Sequence, residues 1–247
     1  MYYTYFMKEG VISIKLIRKI NIMSLAINSL FFLLLFIFIM STSSILRERE
    51  KISFNYAFIP KTKDTTDYIT YLNDYYQTDD IVSYLKINKD ITTPVVQAED
   101  NTYYLNHTIR REELVTGSIF LDYRNDINDK KLLIYGHSNN KYDIPFKYLK
   151  NYLDYDYFLN NKYITFITDK VYIYEIFSVF SVENDYQYSK LYFQSDDEYI
   201  EHLNYLKNNS MYKNSVDLNG DSHIITLQTC LNTKGSKLLI INGRKVN

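Results

Sequence analysis

Residues 222–239 read SHIITLQTCLNTKGSKLL. The chain's one cysteine, Cys230, closes the apolar run Ile224-Ile225-Thr226-Leu227 and its polar continuation. A polar, Gly-containing turn follows, and Leu238-Leu239-Ile240-Ile241 forms a second apolar run. The pattern predicts strand, loop, strand, with the thiol at the mouth of the loop. A single free cysteine is often just a small buried hydrophobe. A second stretch, Leu132-Leu133-Ile134-Tyr135-Gly136-His137-Ser138, gives this one a companion, because another apolar run there ends in Gly-His. A Cys and a His, each at a strand end, are the parts of a thiolate nucleophile and its acid–base partner.

Thr226-Leu227-Gln228-Thr229-Cys230 resembles the TLxTC signature of sortases, the transpeptidases of Gram-positive cell surfaces, and Tyr135-Gly136-His137 resembles their YGH segment. Residues 117–125, GSIFLDYRN, are similar to a run typical of class B. The resemblance extends from about residue 81 to the C-terminus. It implies a mainly β fold: a closed sortase-type β-barrel with an N-terminal helix and a helix inserted before the last strands. It also implies that Cys230 attacks a threonine carbonyl in a C-terminal sorting signal of a secreted protein, leaving a thioester. An amine from a peptidoglycan precursor or a pilin lysine then resolves that thioester, with hydrolysis as a side reaction. His137 takes the role of general acid for the leaving amine and later of base for the incoming one. An imidazolium beside the thiol would favour the thiolate, and a resting pair with both members neutral is the alternative.

The family's third residue is an arginine at the start of the last strand, which stabilises the oxyanion. Here Lys237 holds that position, and the first arginine after Cys230 is Arg244. Seven residues of extended strand separate the two by about 23 Å. Lysine keeps the charge but lacks the planar fork of arginine. Lys237 is therefore expected to substitute. The alternatives are that Arg244 folds back through a turn at Asn242-Gly243, or that the enzyme is slow or degenerate. Thr229 and Gln228 flank the nucleophile and are the candidate substrate-binding residues, Thr229 also shaping the strand end. Asp122, Tyr123, Arg124 and Asn125 read as a hydrogen-bonded corner, and His107, His202 and His223 as structural or surface histidines.

Composition narrows the alternatives. A formal net charge of −1 over 247 residues gives no electrostatic footprint for nucleic acid. The 27 tyrosines without a single tryptophan read as base-composition bias rather than a carbohydrate-binding surface. One cysteine excludes an intramolecular disulfide. No carboxylate cluster has metal-ligand spacing, and six glycines form no phosphate loop. No metal and no cofactor are expected.

Ahead of the barrel, residues 1–19 lean basic, and residues 20–40, INIMSLAINSLFFLLLFIFIM, carry no charge. Twenty or so apolar residues span the roughly 30 Å of a bilayer core. The domains expected are a cytoplasmic segment 1–19, a transmembrane signal anchor 20–40, a stalk 41–63 and a catalytic domain 64–247 outside the cell. Lys8, Lys15, Arg18 and Lys19 favour an N-terminus inside, although Arg47, Arg49 and Lys51 weaken the asymmetry. A cleaved signal peptide ending at Ser41-Thr42-Ser43-Ser44 is the competitor.

A helix is predicted over 64–77 from Tyr68, Ile69, Leu72, Tyr75 and Tyr76, and another over 196–208 from its apolar face and its dipole-matched charges. Strands are predicted over 81–87, 92–97, 101–105, 118–121 and 131–135, and a hairpin over 163–168 and 171–182. Residues 146–149 and 151–158 read as short helical turns. A barrel suits so many short strands because closure removes exposed edges. Three competing functions remain at this point: pilus assembly by the same chemistry, a non-catalytic sortase-like surface module, and a plain thiol protease.

Overall fold

A computed structural model describes residues 3–55, 68–231 and 236–247, with side chains from Ile22 onward. They fall into two compact units, Met1–Glu50 and Lys51–Asn247. The first is helical. Helix α1 (Tyr3–Asn55) continues past the apolar run through much of the expected stalk. No glycine or proline interrupts the sequence between Gly10 and Pro60, so nothing breaks the helix. The stretch Ile22–Asn55 is long and apolar enough to cross a membrane, and none of its most apolar window is buried. Apolar side chains exposed all round, such as Leu33 and Phe36, are what a bilayer rather than water solvates.

The second unit takes in the last turn of α1. Ile52 is buried with Leu114 and Ile144. Asn55, 1% exposed, donates to Gly117 O and accepts from the Ile109 amide. Helix α2 (Tyr68–Tyr76) buries Tyr68, Leu72 and Tyr76, while Tyr75 stays largely exposed. The predicted first turn of this helix, 64–67, lies outside the described residues.

Eight strands follow: β1 (Ile81–Ile87), β2 (Ile91–Val96), β3 (Phe120–Leu121), β4 (Lys131–Tyr135), β5 (Tyr163–Ile167), β6 (Val171–Glu183), β7 (Ile224–Cys230) and β8 (Lys237–Lys245). They close into a barrel in the order β1-β2-β3-β4-β7-β8-β6-β5. Six of its contacts are antiparallel, whereas β2–β3 and β4–β7 are parallel. Pro94 is accommodated because β2 meets β3 only at Val96, so its missing N–H breaks no ladder. Between β4 and β5 a 3-10 stretch (Pro145–Leu153) and helix α3 (Tyr155–Asn160) cross the barrel end. Helix α4 (Asp196–Asn208) begins at Ser195, whose hydroxyl accepts from the Glu198 amide.

Residues 101–105 are not a strand, and a 3-10 turn (Tyr103–Leu105) stands there instead. Asp100 Oδ1 accepts from the amides of both Thr102 and Tyr103. That local bond turns the chain against its β-like composition.

Alternation along the strands sorts the core. Leu85, Ile134, Leu227, Leu239 and Ile241 fill the barrel interior. Leu133, Ile224 and Ile240 face outward beneath Tyr199, Leu203 and Leu206 of α4, and α2 covers Ile81, Tyr84 and Phe120 elsewhere on the outer face. Ile241 is fully buried in the interior. Ile241→Ala is expected to cost about 2–5 kcal/mol, read as a lower urea midpoint at unchanged slope.

Candidate active site

The parallel pairing of β4 with β7 brings two strand ends together. Tyr135 lies opposite Gln228. The Gly136 amide donates to Gln228 O at 3.1 Å, and Thr229 Oγ1 donates to Gly136 O at 2.8 Å. The next residues out of the two strands are His137 and Cys230, and both line one open cleft of about 310 Å³. A Cβ at Gly136 would stand 2.3 Å from Ile119 Cδ1 and 2.5 Å from Phe146 Cδ2, so a larger residue there would have to displace these side chains.

Thr229 is 1% exposed and sits opposite Leu239, on the interior face of β7. Its hydroxyl ties the two strands together, and Thr229 is not among the described residues that line the cleft. Gln228 does line the cleft, and its Oε1 accepts from the Tyr188 hydroxyl at 2.6 Å.

His137 Nε2 lies 2.8 Å from Leu105 O. Only an N–H can face a carbonyl oxygen, so Nε2 carries the proton of the neutral ring and Nδ1 is the nitrogen open to proton exchange. The backbone around Leu105 is closely packed. A Cβ at Gly117, whose φ is +56°, would fall 2.5 Å from the Leu105 carbonyl oxygen. Tyr104 donates its hydroxyl to Asp80, and Arg111 grips the same carboxylate with two bonds of 2.7 Å.

Cys230 is half-buried. Burial pushes its thiol up, and the Lys150 charge offsets this only in part. That direction favours the thiol over the thiolate at rest.

The Asp122 corner lies against the same cleft. Its fully buried carboxylate accepts from Arg124 Nε at 2.9 Å and Nη2 at 2.7 Å, from the Tyr135 hydroxyl at 2.7 Å and from Asn101 Nδ2 at 3.0 Å. Burial alone would raise its pKa, but the bonds from Arg124 and Tyr135 hold it below the usual carboxylate range. Tyr135 and Asn101 both line the cleft, so this corner fixes part of its wall.

The cations separate. Leu238 pairs with Cys230 and lines the cleft. Lys237 is one residue further, exposed, with its carbonyl accepting from the Leu231 amide at 2.8 Å. Arg244 lies opposite Ile224 at the far end of β7, and its Nη1 donates to Asp217 O. No turn forms at Asn242-Gly243, because β8 runs unbroken from Lys237 to Lys245. Sequence reasoning missed Leu105, Asn101, Tyr186, Tyr188 and Ser189 as cleft residues. They come from loops whose approach only long-range pairing determines.

Residues 85–246 match a family model described as a sortase domain. The chain is 35% identical to Sortase B of Listeria monocytogenes over 173 residues, 68% of this chain and 70% of that protein. It is similar to the solved sortase B of Clostridium perfringens at 30% identity and a TM-score of 0.66, covering 72% of this chain and 99% of that one. It is also similar to a Staphylococcus aureus sortase B–substrate complex at 25% identity and a TM-score of 0.69, covering 75% and 87%.

Because burial raises the thiol, alkylation of Cys230 by iodoacetamide is expected to accelerate with pH, with a midpoint above the ordinary thiol value of about 8.5. Stopped-time mass spectrometry across a pH series reads it. Gly136→Ala is expected to slow that alkylation and lower the melting temperature together.

Proposed function

The chain belongs to the sortase family, class B, and we propose that it is a membrane-anchored transpeptidase in which Cys230 carries the acyl group and His137 the protons. Sortases are cysteine transpeptidases, so the finer reading concerns which residues act and on what. The observation that carries it is the side-by-side exit of His137 and Cys230 from two parallel strands into one cleft.

In this mechanism Cys230 Sγ attacks a threonine carbonyl of a C-terminal sorting signal while His137 Nδ1 takes the thiol proton. The tetrahedral oxyanion collapses, the peptide bond after the threonine breaks, and the imidazolium gives its proton to the leaving amine. The resulting thioester is resolved when a cell-wall amine attacks its carbonyl and His137 takes that amine's proton; the C–S bond then breaks and the imidazolium returns the proton to the released Cys230 sulfur. A neutral resting thiol fits this sequence, because the ion pair then forms only when substrate is present to use it. Lys237 supplies the positive charge for the oxyanion in place of the family arginine. Support for this is its position next to Leu238, the register partner of Cys230. Thr229 acts through Gly136, as a strand suture. The apolar face of α1 serves as the anchor, with its N-terminus inside and the barrel outside the cell.

A non-catalytic module is the second reading. What favours it is that, among the described residues lining the cleft, none is an arginine or a lysine.

The full-length protein in detergent, incubated with a panel of sorting-signal peptides with and without an amine, is expected to form a thioester that Cys230→Ala abolishes. The amine should release it as ligated product. Lys237→Ala is expected to lower kcat by about 10²-fold, and Arg244→Ala to leave it within about twofold. No adduct with any peptide would favour the non-catalytic module.

A further inference from the structure

Lys131 opens β4, is 2% exposed and forms no ion pair among the described residues. Lysine is rarely buried without a partner charge, and its neighbours in the strand, Leu132, Leu133 and Ile134, show that an apolar residue would suit the strand. Its Nζ instead meets three polar groups: the carbonyl of Tyr188, the carbonyl of Lys190 at 2.8 Å and His202 Nε2 of α4 at 2.7 Å.

All three bonds can be made in either protonation state of the amine. An ammonium donates three times; a neutral amine donates to both carbonyls and accepts from His202 Nε2–H. Burial, and the charges of Lys131 and Lys190, lower the His202 pKa to about 3.

The two carbonyls belong to the segment between β6 and α4, outside the barrel ladder. That segment forms one wall of the cleft, through Tyr186, Tyr188 and Ser189. Tyr188 also reaches across with its hydroxyl to Gln228, two residues before Cys230. The backbone of the wall is thus fastened from beneath at one strand's start, and its side chain from above near the nucleophile.

We propose that Lys131 is a positioning residue: by holding the Tyr188 and Lys190 carbonyls it sets the cleft wall for peptide binding, without touching the reacting atoms. The proposal rests on the reading of the cleft as the peptide site. Removing Nζ takes the donor from the buried Tyr188 carbonyl and the part-buried Lys190 carbonyl and leaves a buried imidazole nitrogen unmet. The wall should loosen while the suture between β4 and β7, which places Cys230 and His137, stays intact.

The test compares Lys131→Met and, separately, His202→Ala with the parent protein, full length in detergent. It reads hydrogen–deuterium exchange over residues 184–194, ligation kinetics with a panel peptide that the parent ligates, and alkylation of Cys230 by iodoacetamide. Lys131→Met is expected to speed exchange and to raise KM for the peptide, each by about tenfold. Its kcat and alkylation rate should stay within about twofold of the parent. His202→Ala should move exchange and KM in the same direction by about threefold, and it decides the matter alone if Lys131→Met does not fold. Unchanged exchange and KM in a folded variant would overturn the proposal. So would kcat and alkylation falling together at constant KM, the signature of a merely structural lysine. A parent that ligates no peptide overturns the transpeptidase reading itself; an active parent with variants of unaltered KM overturns only this one.

Discussion

The parallel contact between β4 and β7 is the constraint on which the site depends. Antiparallel neighbours would send two strand ends to opposite rims of the barrel, whereas parallel neighbours deliver both to the same rim. The register then decides which side chains meet. With Tyr135 opposite Gln228, the residues leaving the ladder are Gly136 beside Thr229 and His137 beside Cys230. A slip of one residue would turn Cys230 into the barrel interior and Thr229 out to the cleft. The Thr229 hydroxyl on Gly136 O, beyond the last ladder pair, fixes this register where it matters.

Around that contact, polar burial follows a division of labour. The barrel interior is filled by aliphatic and aromatic side chains, and the strands there satisfy their own backbone. The loops that wall the cleft have no ladder, yet their amides and carbonyls also need partners. Buried and half-buried side chains outside the barrel interior supply them. Asn55 serves Gly117 and Ile109, Gln97 serves the carbonyls of Asp122 and Asn125, and Lys131 serves Tyr188 and Lys190. Each is a costly group to bury, and each is placed where a segment lining or supporting the cleft would otherwise have loose backbone. The site's shape is thereby set by hydrogen bonds, with the apolar core acting as the frame beneath them.

This division explains what the sequence made legible. β1, β4 and α4 run over the residue ranges read from alternation, helical spacing and charge placement, because those signals are local. The Cys–His pair was legible through motif resemblance, since nothing local says that residues so far apart in the chain share a rim. Residues 101–105 were misread because one Asx-type turn at Asp100 outweighs a β-favouring composition. The partners of Lys131 lie 57 and 59 residues away in the chain, and no periodicity announces such a bond. The inward turn of Thr229 is within reach of simple alternation once Cys230 faces out.

The same parity bears on the cation. In β8, Leu238 shares the outward face with Cys230, so Lys237 begins on the other face at the barrel rim. A short, rigid side chain there could not return to the thiol. Lysine's four-carbon stem is long and flexible enough to do so from a rim position. Lys150 is the cation that acts on the resting thiol, and it offsets the effect of burial only in part. The value of Lys237 would lie in the transition state, where the charge that develops on the carbonyl oxygen draws the ammonium in. On the proposed role of Lys237, lysine in place of arginine would give up bidentate pre-organisation and retain attraction. That trade predicts an enzyme limited at acylation more than at binding, with the peptide's position left to the cleft walls that Asp122 and Tyr188 help to hold.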